Sequence, residues 1–286
     1  MRHARRHPVR IGLKLSQGAP IEVFRKVWQV ADEAGFDHCW AFDHLVSLDS
    51  SGRPRLLFEG WSLAAAMAVA TTRPRIGLLV GGMTYRHPAL LAKIAVTVDH
   101  LSGGRLELGI GAGWAERERS MLGIDDSHAV GRFKEGLDVV ELLWSGERAN
   151  YEGRHFRLQD AIMAPAPVQK PRPPFWIGAG GPQMLRLTAQ RADVWNPSGE
   201  SLEAAVKAAD ELVRLCDEVD RDPMSIRWST QVPFDGRDAP AAIGELERWR
   251  DAGFTELVVY CSGDDPVAAA TIAAEKVLPS LRERSR

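Results

Sequence analysis

Hydrophobic and polar positions along this chain follow two alternating periods. Short apolar runs of strand length are separated by longer stretches whose apolar residues recur every three or four positions. Val9 to Leu15 reads as the first strand. Ile21 to Ala34 follows as a helix with Val23, Val27, Val30 and Ala31 on one side and Gly35 at its C-terminal stop. The same rhythm predicts further strands at Phe36–Phe42, Arg75–Val80, Arg105–Ile110, Phe175–Gly178, Asp193–Asn196, Ser225–Val232 and Glu256–Tyr260. Helices are predicted from Trp61, Pro88, Arg132, Pro182, Leu202, Ala239 and Pro266. The prolines at 88, 182 and 266 suit a first helical turn, where a missing N–H costs nothing.

Eight strands alternating with eight helices predict a parallel sheet with right-handed crossovers. Eight such units over about 250 residues fit a closed (β/α)8 TIM barrel. An open doubly wound sheet would normally use fewer strands over this length. One stretch breaks the rhythm: Gly146 to Pro173 holds a hairpin-like piece and then a run of prolines, so it reads as an insertion before strand 5, a lid or packed arm. The 286 residues are otherwise read as one domain, with a frayed, basic tail over 1–8.

Composition narrows the function classes. The net charge of -2, with signs interspersed, gives no reason to expect nucleic acid or an anionic membrane as partner. No apolar run approaches the roughly 18 residues that span a bilayer, and the basic N-terminus lacks the apolar segment of a secretory signal. Cys39, Cys216 and Cys261 are an odd, widely spaced set without a C-x-x-C pair, which suggests neither zinc nor disulfides and suits a reducing cytoplasm.

In such a barrel the active site lies at the C-terminal ends of the strands. Four of the eight ends carry glycine or another small residue, leaving room for something flat and large. Ala179-Gly180-Gly181 stands between a strand and the helix opened by Pro182. Free amides at a helix start face a bound anion, so this is a candidate phosphate cradle, with a tightly packed glycine turn as the plainer alternative. His44 is an ionisable group at a strand end with a carboxylate, Asp43, beside it, and its ordinary pKa near 6.5 suits proton work at neutral pH; the pair could equally cap a turn. Trp114 would line the mouth. Gly109-Ile110-Gly111-Ala112-Gly113-Trp114 echoes G-x-G-x-x-G, but Trp holds the last position and no dinucleotide site is inferred. No His-x-His pair and no G-x-S-x-G occurs, so neither a metal centre nor a serine elbow is indicated.

Gly35-Phe36-Asp37 with Phe42-Asp43-His44, Arg86-His87-Pro88-Ala89-Leu90-Leu91-Ala92-Lys93, Asp99-His100-Leu101-Ser102-Gly103-Gly104-Arg105 and Leu108 to Trp114 follow one another in order. With Tyr151-Glu152-Gly153, Pro174 to Pro182 and Ala192 to Asn196, they resemble the luciferase-like monooxygenase superfamily, in particular its branch using the deazaflavin coenzyme F420. The resemblance implies a barrel with insertions and a deazaflavin or flavin in its mouth. It places the phosphate tail at Ala179, Gly180 and Gly181, and the ring against the end of the third strand, at Leu79, Val80 and Gly81, with a non-proline cis peptide in Leu78-Leu79-Val80. Asp43, His44, Ala112 and Gly113 match positions that touch the deazaflavin in relatives.

The chain also departs from the pattern. Trp114 stands where sugar-phosphate-oxidising relatives have a glutamate general acid, so that activity is not expected, and Ala115 where Asn is common and Gly81 where Thr is common suggest a roomier, more apolar mouth. The expected reaction is hydride transfer between F420 and a small organic substrate, with His44 stabilising developing charge, Asp43 fixing its orientation and the 146–173 arm shielding the substrate. An FMN-dependent monooxygenase and a non-catalytic flavin-binding protein are the alternatives. Relatives are often dimers, so a homodimer is expected.

Overall fold

The structure is a computed structural model and describes residues 7–46, 56–125, 127–197, 199 and 201–283. Residues 1–6 of the expected tail and the polar loop over 47–54 lie outside the described residues. His7, at the end of that tail, is tied down by a 2.8 Å hydrogen bond between its ring and the Met224 carbonyl.

The barrel strands are β1 (Arg10–Leu15), β2 (His38–Ala41), β3 (Arg75–Leu78), β4 (Leu108–Gly111), β5 (Phe175–Gly178), β6 (Val194–Asn196), β7 (Arg227–Phe234) and β8 (Glu256–Cys261). All neighbouring pairs are parallel, in the order β3-β2-β1-β8-β7-β6-β5-β4. The third strand closes the ring by splitting. Arg75–Leu78 pairs with β2, and after the cis peptide Leu79–Val80 a short piece, Gly81–Gly82, pairs with β4. This is the TIM barrel that the alternation predicts.

The helices are α1 (Ile21–Ala34), α2 (Gly60–Ala70), α3 (Pro88–Leu101), α4 (Glu116–Leu122), α5 (Ala129–Trp144), α6 (Pro182–Arg191), α7 (Leu202–Glu218), α8 (Ala239–Asp251) and α9 (Pro266–Ile272), which runs on through a π-helical turn into α10 (Leu278–Glu283). Their ends obey local chemistry. Gly35 closes α1 in the left-handed conformation at φ 80°, and Glu59, Ser201, Asp238 and Asp265 each cap a helix start through their side chains.

Two apolar layers hold the fold. The larger lies between strands and helices; each large apolar side chain buried there contributes roughly 1.5–3 kcal/mol. The smaller fills the barrel itself, where Trp40 and Trp176 meet at 4.5 Å between ring centroids, with Leu79, Val194 and Val258. Below them His38 accepts from Trp40 Nε1 at 2.6 Å and lies 3.1 Å from the buried Glu256, so it is a wall residue.

The 146–173 insertion forms an antiparallel hairpin (Ala149–Glu152 with Arg157–Ala161) and then an irregular run along the outside of the barrel. Glu135 takes the backbone amides of Arg154, His155 and Phe156, and Asp99 takes those of Val168 and Gln169. The arm therefore packs on α3 and α5. None of its residues lines the mouth cavity, so the expected shielding role is not what the structure shows.

Candidate active site

The strand tips enclose a cavity of two lobes, each about 460 Å³. Phe42, His44, Trp114 and Tyr260 line both lobes and stand at the divide. One lobe reaches Leu79, Val80 and the tips of β6 and β7; the other runs along the tips of β1 and β8. Trp114 is 73% exposed at the rim and meets the His44 ring edge-on at 5.7 Å. Of the residues singled out from sequence, His44, Leu79, Val80 and Trp114 thus come together.

Asp43 does not join them. The residue is 2% exposed and its side chain turns away from the cavity, accepting two 2.7 Å hydrogen bonds from Arg86 and a 3.1 Å bond from the Gly82 amide. Burial pushes its carboxyl above the ordinary carboxylate value despite these donors. Arg86 also reaches Glu59, the cap of α2. Asp43 is therefore a clasp between the ends of the second and third strands, not the group that orients His44.

That group is Glu118, which the sequence reading missed. Its buried carboxylate lies 3.1 Å from His44 Nδ1 and also accepts from the Tyr85 hydroxyl and the amides of Leu45 and Val46. Burial works to raise the Glu118 carboxyl, but these four donors outweigh it and hold it at about 2. An ionised carboxylate only accepts, so His44 carries its proton on Nδ1 when neutral and keeps Nε2 as its free acceptor. A carboxyl held below its ordinary 4.5 stabilises the fold above that pH and loses this contribution as the pH falls toward 2. Glu118→Gln should accordingly lower Tm at pH 7 and approach the wild type near pH 2–3. Equal deficits at both pH values would contradict this.

The glycines at the strand tips serve a different purpose from the one expected. A Cβ on Gly178 would lie 2.7 Å from a Val80 methyl, and one on Gly111 would lie 3.3 Å from the same methyl, so these glycines make room for Val80. A Cβ on Gly81 would come 3.1 Å from the Asp43 carboxylate. Gly81 therefore sits beneath the clasp and does not widen the mouth. Ala112 and Gly113 line neither lobe.

At the head of α6 the Ala179 amide is already spent on the Asn196 carbonyl at 3.1 Å, and its own carbonyl accepts from Trp195 Nε1 at 2.9 Å. Gly180 and Gly181 differ. Their amides find no acceptor among the described residues, no side chain caps the helix, and a Cβ at Gly181 would meet nothing within 4 Å. Two open amides on a helix N-terminus have the geometry to receive an anion, and Asn196 lies between them and the cavity on the adjacent strand tip.

The cavity floor carries a second residue that was not foreseen as functional. Lys14 is fully buried, and its amine crosses the barrel interior to the Leu79 carbonyl at 2.6 Å and to Gln231 Oε1, with the Phe42 ring centroid 3.4 Å away. Burial pushes this lysine well below its ordinary range.

A closed parallel barrel with this mouth is matched by a family model. The luciferase-like monooxygenase model covers residues 1–255. The chain belongs to the luciferase-like monooxygenase family. It is 29% identical to an F420-dependent glucose-6-phosphate dehydrogenase of Microbacterium testaceum, over 97% of this chain and 98% of the relative. It is 34% identical to a phthiodiolone/phenolphthiodiolone dimycocerosates ketoreductase of Mycobacterium kansasii, over 67% of this chain and 57% of that protein. The fold superposes on the coenzyme F420-dependent tetrahydromethanopterin reductase of Methanopyrus kandleri with a TM-score of 0.83 and 18% identity, covering 96% and 99% of the two chains. The chain is an enzyme of the oxidoreductase class. Among the described residues no helix is long and apolar enough to cross a membrane.

Proposed function

We propose that this family member is an F420-dependent oxidoreductase that transfers a hydride between the deazaflavin and a small organic substrate. The observation that carries the reading is the pair of open amides at Gly180 and Gly181, one strand tip away from a cavity wide enough for a tricyclic ring. The residues present fit the group: Gly180 and Gly181 would hold its phosphate, and Leu79 and Val80 would carry the ring. When bound, the deazaflavin supplies two-electron hydride chemistry.

The chain's own residues do the rest. His44 Nε2, set by Glu118 on the opposite ring nitrogen, faces the cavity and can hold or give a proton where charge develops. Trp114 and Tyr260 line the mouth beside it, where a bound ring and substrate would pack. The sugar phosphate of the glucose-6-phosphate dehydrogenases is not expected as substrate. No arginine lines either lobe among the described residues, and Lys14 is already hydrogen bonded within the floor. The reading further takes the chain as a single domain, working as a homodimer in a reducing cytoplasm.

Both F420 and FMN bear a phosphate, so separate titrations with each decide between them. Trp114 and Trp249 line the cavity and should be quenched. Saturable quenching by F420, with weaker or no response to FMN, is the expected result; the reverse order would make the enzyme a flavin monooxygenase.

A further inference from the structure

The polar groups on the cavity floor all point the same way. Lys14 Nζ donates to the Leu79 carbonyl and to Gln231 Oε1. Gln231 Nε2 then donates to Asn196 Oδ1 at 3.0 Å, Asn196 Nδ2 to Ser229 Oγ at 2.8 Å, and Ser229 Oγ to the Trp195 carbonyl at 3.1 Å. Lys14 fixes this direction. Its nitrogen donates to the Leu79 carbonyl and to Gln231 Oε1, two hydrogens that the amine carries in either protonation state. Gln231 must therefore turn its oxygen to Lys14 and its NH2 to Asn196, and Asn196 is turned in the same sense. Each amide NH2 keeps a second N–H with no acceptor among the described residues, while both amide oxygens already accept a donor.

Gln231 and Asn196 line the lobe that contains Leu79 and Val80. In the ring of eight strands β7 stands four places from β3, so the Gln231 wall faces the Leu79–Val80 wall across the cavity. The remaining lining is largely apolar, with Phe42, Val80, Pro197, Pro233 and Trp249, and no carboxylate lines this lobe among the described residues. We propose that this donor wall selects an uncharged, mostly apolar substrate through one hydrogen-bond-accepting oxygen, such as a ketone carbonyl, with Gln231 as the specificity-determining residue and Lys14 as its positioning residue. The proposal rests on the preceding reading for the reaction but not for the contact, because the wall belongs to the protein alone. A substrate whose only polar group is a cation finds spare N–H groups on this wall and no carboxylate in the lobe, an unfavourable match inside a buried site, and a lone donor is left to His44 Nε2.

The test uses the full chain with F420 bound and three matched probes: cyclohexanone, methylenecyclohexane, which lacks the oxygen, and cyclohexylammonium. Affinities are read by saturation-transfer NMR, without turnover. The expected result is that cyclohexanone binds tightest. Gln231→Leu and Lys14→Met should each erase its preference over methylenecyclohexane, by about tenfold, while F420 affinity changes less than about twofold. Collapse of the pocket would weaken both neutral probes alike, so loss of discrimination alone marks the polar role. Equal binding of ketone and alkene by the wild type overturns the proposal while F420 still binds, which leaves the cofactor reading standing. A loss of F420 affinity in Gln231→Leu with ketone binding unchanged also overturns it, since the wall would then serve the cofactor. Failure of the wild type to bind F420, with the ketone preference intact in the cofactor-free chain, removes the cofactor reading and supports the donor wall.

Discussion

His44→Ala should lower turnover by roughly 10²–10⁴-fold, the usual contribution of a positioned acid–base group, while changing stability by less than about 1 kcal/mol. The small stability effect follows from Glu118. That carboxylate keeps Tyr85 and the amides of Leu45 and Val46 when the imidazole is removed, so no buried charge is stranded. The His44 side chain is also partly exposed toward the cavity, and little apolar area is lost. Activity with F420 and urea denaturation, measured on the same preparation, separate the two effects. A fall in stability as large as the fall in turnover would return His44 to a structural role. Glu118→Gln should lower kcat more than it changes KM, because the neutral amide no longer dictates which imidazole nitrogen carries the proton.

Asp43→Ala should behave in the opposite way, costing about 3 kcal/mol of stability by leaving a largely buried guanidinium without its double hydrogen bond. Glu59 still meets Arg86, which keeps the expected loss at the lower end of the range for a broken buried pair. The Gly82 amide loses its acceptor as well. Asp43→Ala combined with Arg86→Met should recover part of the loss, since the second change removes the stranded charge. Urea unfolding of the single and double variants measures this directly. A loss below about 1 kcal/mol for Asp43→Ala would show that the clasp is not what holds the second and third strand ends together.

These two neighbours in sequence illustrate what the sequence could convey and what it could not. Period and punctuation are local, so the alternating strands and helices, the stops at Gly35 and the starts at Pro88 and Pro182 could be read along the chain. The open helix start at Gly180 and Gly181 was legible for the same reason, because a strand, two glycines and a helix start are adjacent. Ala179 was included in it only because its partner, the Asn196 carbonyl, comes from a different strand. Asp43 and His44 look like a pair because they are consecutive, yet consecutive residues at a strand end face opposite sides. Their true partners, Arg86 and Glu118, lie 43 and 74 positions away. Nothing local marks them, although Arg86 stands beside the His87-Pro88 helix start and could have been asked what neutralises it. Lys14 reads as one polar position in an apolar strand, and only closure of the barrel brings it to Gln231, 217 residues later. The strand-tip glycines were legible as small but not as the seat of Val80, because that requires knowing which tips are neighbours.

The central claim is that the head of α6 grips the phosphate of a redox cofactor, and Gly181→Asp tests it most directly. Gly181 has ordinary extended geometry at φ -84°, and a side chain there meets nothing within 4 Å, so the substitution fits. Aspartate is also a favourable residue at a helix start, so Tm should hold or rise slightly. Its carboxylate would cap the neighbouring amides of Gln183 and Met184 and, by its charge, repel a phosphate at Gly180 and Gly181. The expected result, from fluorescence titration of wild type and variant with F420, is an affinity weakened at least about tenfold in a chain of undiminished stability. Unchanged F420 affinity in the folded variant would contradict the assignment of the cradle and, with it, the placement of the cofactor.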